Sequence, residues 1–85
     1  MNIRNGTGTG SIVVGTKLFG ETSTASGNNS FASGQGTQAT GGYTHTEGYH
    51  TIASNGSAHA EGESTQASGW ISHAEGYNTI ANHKA

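Results

Sequence analysis

Hydrophobic positions along this chain are small and evenly spaced. Ala25, Ala32, Ala39, Ala53, Ala60, Ala67, Ala74 and Ala81 fall on one seven-residue lattice, with Thr46 at the vacant step. Two residues after most of them stands a glycine (Gly27, Gly34, Gly41, Gly48, Gly62, Gly69, Gly76), and Asn55 and His83 take that place in the other two. Alternate sevens differ, so the full unit is fourteen residues: NNSFASGQGTQATG (28–41), GYTHTEGYHTIASN (42–55), GSAHAEGESTQASG (56–69) and WISHAEGYNTIANH (70–83). Self-similarity at a short fixed period marks a fold that stacks like units along one axis. Seven residues ending in Gly suit a short strand and a tight turn, and are too few for a helix with its connection. The Gly, Ser, Thr and Asn between the alanines also disfavour a helix or a heptad coiled coil.

Side chains alternate across a strand, so each seven has two faces. Ser30-Ala32-Gly34, Thr37-Ala39-Gly41, Thr44-Thr46-Gly48, Thr51-Ala53-Asn55 and their successors form one face, and every member of it is small. Such a face fits the interior of a flattened roll whose two sheets approach more closely than the usual ~10 Å. The predicted fold is all-β: a parallel β-roll solenoid with two short strands per fourteen-residue coil and about five coils stacked at ~4.8 Å. The roll interior is assigned to Ala25, Ala32, Ala39, Thr46, Ala53, Ala60, Ala67, Ala74 and Ala81.

Residues 1–10, rich in Gly, Thr and Asn, read as a flexible N-terminal segment. Residues 11–27 read as an irregular capping coil, with Ile12, Val14, Leu18 and Phe19 closing the open end and Lys17-Leu18-Phe19 taking the places below Phe31-Ala32-Ser33. Residues 28–83 are the regular repeats, and 84–85 read as the start of a further one, so a longer parent chain is expected. A second period of 28 brings back Tyr49 as Tyr77 and Ile52 as Ile80. These four are the candidate contact face, set against plain duplication of a two-coil block.

Composition narrows the function. Hydrophobic residues make up 29% of the 85, much of it Ala, so one copy buries little surface and oligomerisation is expected. A formal net charge of −2 gives no footprint for nucleic acid. The chain has no Cys, hence neither disulfides nor thiolate metal sites, and no apolar run approaches the ~20 residues of a membrane span. A periodic array repeats each Ser and His many times, whereas an active site needs a unique constellation in a pocket, so no catalytic residue is assigned. Gly6-Thr7-Gly8-Thr9-Gly10 lacks the Lys-Ser/Thr of a phosphate loop, and no cofactor is expected.

The loudest chemistry is His-x-Glu-Gly, at His45-Thr46-Glu47, His59-Ala60-Glu61 and His73-Ala74-Glu75. At i and i+2 in a strand, His and Glu share a face, and the period stacks like over like. A His column beside a Glu column follows, with Phe31 in the His place one coil earlier. Imidazole–carboxylate hydrogen bonds locking an interface, a solvated polar face, and metal binding all remain open to such an array. Spacing alone closes no tetrahedral ligand set, so no metal site is assigned. Zinc deaminases also use His-x-Glu, but with a Pro-Cys-x-x-Cys partner that a chain without Pro or Cys cannot supply.

Asn29-Ser30-Phe31-Ala32-Ser33-Gly34, followed by Thr37-Gln38-Ala39-Thr40-Gly41, resembles the fourteen-residue head repeat of YadA-like trimeric autotransporter adhesins. The likeness extends over about residues 11–83. It implies a left-handed roll, three copies packed as a homotrimer, and a head that projects from the bacterial surface to attach to host matrix or cells. This segment itself would touch neither membrane nor nucleic acid. The Ser72–Gly76 variant is similar to repeats in surface and phage-associated proteins of Gram-positive bacilli, which implies an architectural spacer of a virion fibre as the alternative. Where the family repeat has two apolar outward positions, this chain has His and Glu. The resemblance therefore makes Phe31, His45, Glu47, His59, Glu61, His73 and Glu75 either a trimer interface or an outer-face ladder.

Overall fold

A computed structural model of the chain describes residues 2–15 and 23–83. Among them every regular element is a strand: β1 (Asn2–Asn5), β2 (Ile12–Gly15), β3 (Thr24–Ala25), β4 (Phe31–Gln35), β5 (Gln38–Ala39), β6 (His45–Tyr49), β7 (Ile52–Ala53), β8 (His59–Glu63), β9 (Gln66–Ala67), β10 (His73–Tyr77) and β11 (Ile80–Ala81). Long and short strands alternate from β4 onward, and each kind builds its own sheet. One sheet runs β1-β2-β4-β6-β8-β10 and the other β11-β9-β7-β5-β3. All pairs but β1–β2 are parallel, and the register steps by fourteen residues, His73 opposite His59 and His59 opposite His45. The chain is a β-solenoid of about four such turns, with the β2–β3 unit as an irregular start in place of a regular fifth.

Between the sheets lie Ala25, Ala32, Ala39, Thr46, Ala53, Ala60, Ala67 and Ala74, none more than 5% exposed. Ala81, in the last turn, is half-buried. Among the described residues Val13 is the single large aliphatic side chain in the core. An alanine methyl contributes only about 0.8 kcal/mol on burial, against about 1–2 kcal/mol of backbone entropy for each ordered residue. Packing alone cannot hold this roll together.

Backbone hydrogen bonding supplies part of the difference, and it runs through the turns as well as the strands. Asn29, Tyr43, Ser57 and Ile71 all have φ between 55° and 61°, and His50, Ser64 and Asn78 between 54° and 57°. This left-handed conformation is uncommon outside Gly. It turns each amide along the stack: Tyr43 N donates to Asn28 O at 2.8 Å, Ser57 N to Gly42 O at 2.8 Å, and Ile71 N to Gly56 O at 2.9 Å. On the other edge His50 N donates to Gln35 O and Ser64 N to Tyr49 O, both at 2.9 Å. Inward hydroxyls bond locally, with Ser30 Oγ donating to Gly27 O and Ser72 Oγ to Gly69 O, both at 2.6 Å, and Thr44 Oγ1 to Gly41 O at 2.7 Å. That is how a polar side chain can face the interior.

The start of the chain departs from the sequence reading. Asn2–Asn5, expected to be part of a flexible lead-in, pairs antiparallel with β2 and covers the edge of the long sheet. Ile12, Val13 and Val14 lie opposite Phe31, Ala32 and Ser33, the places expected for Lys17, Leu18 and Phe19. A β-branched apolar run is the better strand former, and it offers Val13, 2% exposed, to the core. Ile12 is 43% exposed, so β1, not this side chain, closes that end. Residues 16–22, which include Lys17, Leu18 and Phe19, and residues 84–85 lie outside the described residues.

The glycines of β4, β6 and β8 are fixed by space as well as by φ. At Gly48 (φ 115°) an added Cβ would fall inside the Gly62 carbonyl of the next turn, and Gly34 and Gly62 stand in the same relation to their neighbours. Replacing Gly48 by Ala should cost on the order of 3 kcal/mol or more, from strain plus overpacking. Ile71→Asn should do the reverse and gain about 1 kcal/mol, because Ile71 is a β-branched residue at φ 57° and Asn29 already fills the matching place. Urea denaturation midpoints measure both, and a Gly48→Ala chain as stable as the parent would refute the stacking geometry.

Candidate functional site

The outward face of the long sheet carries the histidine–glutamate ladder. His45, His59 and His73 begin β6, β8 and β10, and parallel pairing in register sets each imidazole over the last. The rings stack with centroids 4.6 Å apart, tilted 18° between His45 and His59 and 14° between His59 and His73. Phe31 ends the column, its ring 5.0 Å from His45 and tilted by 48°. Glu47, Glu61 and Glu75 follow two residues later on the same face and stack as a second column.

Burial is graded along the ladder. Phe31, His45, Glu47, His59 and Glu61 are half-buried, while His73 and Glu75 are exposed. Imidazole and carboxylate approach without closing hydrogen bonds. His45 Nε2 lies 3.8 Å from Glu47 Oε2, His59 Nε2 3.9 Å from Glu61 Oε1, and His73 Nε2 4.0 Å from Glu75 Oε1. The shortest approach crosses between turns, from His73 Nε2 to Glu61 Oε1 at 3.7 Å. These separations exceed the usual N–H···O range of about 2.7–3.2 Å. Nε2 of His45 and of His59 are themselves buried and have no hydrogen-bond partner among the described residues. Loss of solvent lowers the His59 pKa from its ordinary 6.5, repulsion from His45 and His73 lowers it further, and Glu61 and Glu47 oppose the shift.

The candidate contact face is interrupted. Tyr49 and Tyr77 end β6 and β10, 40% and 69% exposed, and Glu63 stands between them in the same row. Ile52 and Ile80 lie in the other sheet with Gln66 between, Ile52 half-buried and Ile80 exposed. Tyr49 stacks on His50 at 4.1 Å, so its ring is partly spent on a local contact. The sequence reading missed the turn apices, where Tyr43, Trp70 and Ile71 are the exposed large side chains. Trp70 lies across Gly56 of the turn below, in space that a Cβ there would need. Variable residues at one place in a fourteen-residue period are the signal that would have marked these corners.

Among the described residues, a cleft of ≈ 190 Å³ between Asn5–Thr7 and Ser23–Ala25 is lined by no acid, base or imidazole. No family model matches the sequence, and neither curated proteins nor solved structures provide a match. The ladder therefore has to be read from its own geometry.

Its protonation sets an expectation for stability. Unfolded His59 takes up a proton near pH 6.5, and folded His59 does so only at lower pH. Between those values the unfolded chain holds more protons, so stability rises with pH through that window and is lost as the pH falls through it. Thermal unfolding between pH 7.5 and 5 should show a larger drop in midpoint for the parent than for His59→Phe, which keeps a stacking ring as Phe31 does. Equal drops would exclude His59 as the responsible group.

Proposed function

We propose that this chain is a non-enzymatic head or stalk segment of a trimeric bacterial surface fibre, three left-handed rolls packed side by side, serving attachment to host matrix or cells. One observation carries the reading: a core of alanines and Val13 beneath a sheet face on which His45 and His59 hold buried Nε2 atoms with no hydrogen-bond partner among the described residues. A buried polar nitrogen without a partner costs free energy that a neighbouring copy can recover. A roll with so small a core also needs further burial to be stable. The fourteen-residue spacing, with Phe31, His45 and Glu47 at the outward places of the YadA-like repeat, adds the resemblance to that physical need. Buried His–Glu rows at a trimer axis would favour specific pairing over raw stability. The exposed turn-corner side chains Tyr43, Trp70 and Ile71 supply aromatic and apolar surface for contact with a matrix protein.

Light scattering and sedimentation on the isolated chain should give the mass of a trimer. His59→Ala/His73→Ala should shift that population toward monomer at a given concentration. A stable, folded monomer would overturn the assembly and the adhesive role together. A trimer that ignores matrix-coated surfaces and host cells would leave the assembly standing and remove the role.

A further inference from the structure

Two groups of side chains on the ladder have the donor set of a metal centre. His59, Glu61 and His73 each bring one ligand atom to within 4.8 Å of the others, and His45, Glu47 and His59 do the same one turn earlier. In the first group Glu61 Oε1 faces two stacked imidazoles at once, 3.9 Å from His59 Nε2 and 3.7 Å from His73 Nε2. Those gaps are too long for hydrogen bonds, yet an ion seated among the three atoms would stand about 2.5 Å from each, a small side-chain adjustment from zinc–ligand bonds of about 2.0–2.2 Å. The buried His59 Nε2 has no hydrogen-bond partner among the described residues, the same open position that the proposed assembly gives to a neighbouring copy and that an ion can fill from within one chain.

We propose that the ladder is a transition-metal site, in which His59, Glu61 and His73 hold a Zn²⁺-class ion and leave its fourth position to water or a neighbouring group. Two imidazoles and a carboxylate are borderline donors, which suit zinc, copper or nickel and disfavour Mg²⁺ and Ca²⁺, cations that take all-oxygen shells. His59 belongs to both groups, so filling one excludes the other, and the chain takes a single ion in one of two registers. The bound cation offsets repulsion within the stacked Glu47, Glu61 and Glu75 column. None of this depends on the number of copies in the assembly, because all three ligands come from one chain.

Calorimetric titration of the tag-free chain with ZnCl₂ at pH 7 tests the site. About one Zn²⁺ per chain is expected, with a raised unfolding temperature and no heat from MgCl₂. His59→Phe keeps the stacked ring, as Phe31 does one column place below His45, and should weaken Zn²⁺ binding at least tenfold while its metal-free unfolding temperature stays near the parent's. Glu61→Gln alone leaves the His45–Glu47–His59 group intact, so the double change Glu47→Gln/Glu61→Gln, which removes the carboxylate from both groups, should weaken it too. His50→Asn, which removes an imidazole outside both groups and copies Asn78, should leave it unchanged. Absence of Zn²⁺ binding by the parent, or full binding by His59→Phe, would overturn the proposal. So would about a third of an ion per chain, the mark of one ion shared by the three copies of the proposed trimer.

Discussion

Everything in this fold depends on one turn of backbone hydrogen-bonding to the next at nearly every step, including the corners. Strand ladders are ordinary in a sheet. What is unusual is that the corners are laddered too, at the cost of left-handed φ at seven of the described residues that are not glycine. Each such residue pays of order 1–2 kcal/mol in backbone conformation, and each recovers a cross-turn hydrogen bond, such as Asn78 N to Glu63 O at 3.0 Å. A corner amide left without that partner would add an unmet donor to an already thin core.

The same constraint dictates the side chains. Adjacent turns are so close that Gly34, Gly48 and Gly62 have no room for a Cβ beside the next turn's carbonyl. Across the interior the two sheets leave space for alanine and threonine, and the threonine hydroxyls are not all satisfied. Those of Thr46, Thr51 and Thr65 are buried without a partner, whereas Thr37 Oγ1 donates to Ser23 Oγ at 3.0 Å. Hydrogen bonds between turns tolerate such local shortfalls because no single one decides the register. A slip by one residue would drive every outward side chain into the alanine layer, and that is what fixes the fourteen-residue step.

Much of this was legible in the sequence because the constraint leaves a periodic trace. The alanine lattice, the glycine two residues on, and the sharing of a face by His45 and Glu47 all follow from a period of two inside a period of fourteen. What could not be read had no such trace. Tyr43, Ser57 and Ile71 take the same backbone shape with unrelated side chains, since the corner constrains φ and leaves the side chain in solvent. The pairing of Ile12 with Phe31 breaks the period, so extending the lattice backwards put Lys17 and Phe19 in places that β2 occupies. Strand β1 lies in a polar, Gly-rich stretch whose composition suggests a loose end, and its pairing reflects the bare edge of β2 rather than propensity. For the ladder, spacing placed the columns but not the distances. That His73 lies nearer Glu61 than Glu75 is a matter of stagger between turns, visible only in three dimensions.

Stacking like over like also changes what a single residue means. In an ordinary sheet a half-exposed Glu is surrounded by unlike neighbours, and its charge is cheap. Here Glu61 has Glu47 below and Glu75 above, each one strand spacing away, so the column accumulates repulsion with every turn. A parallel column of imidazoles beside it is the natural counterweight, since each can hydrogen-bond, take a proton or share a cation at the carboxylates. Protonating the whole His column would only move the repulsion sideways, because His59 already loses proton affinity to His45 and His73. His59, with an imidazole on either side, is held below the ordinary imidazole pKa first by loss of solvent and then by those two neighbours. Phe31 shows the same rule from the other direction. Where the column needs no counter-charge, because Ser33 stands in the Glu place, the ring beside His45 carries no nitrogen at all.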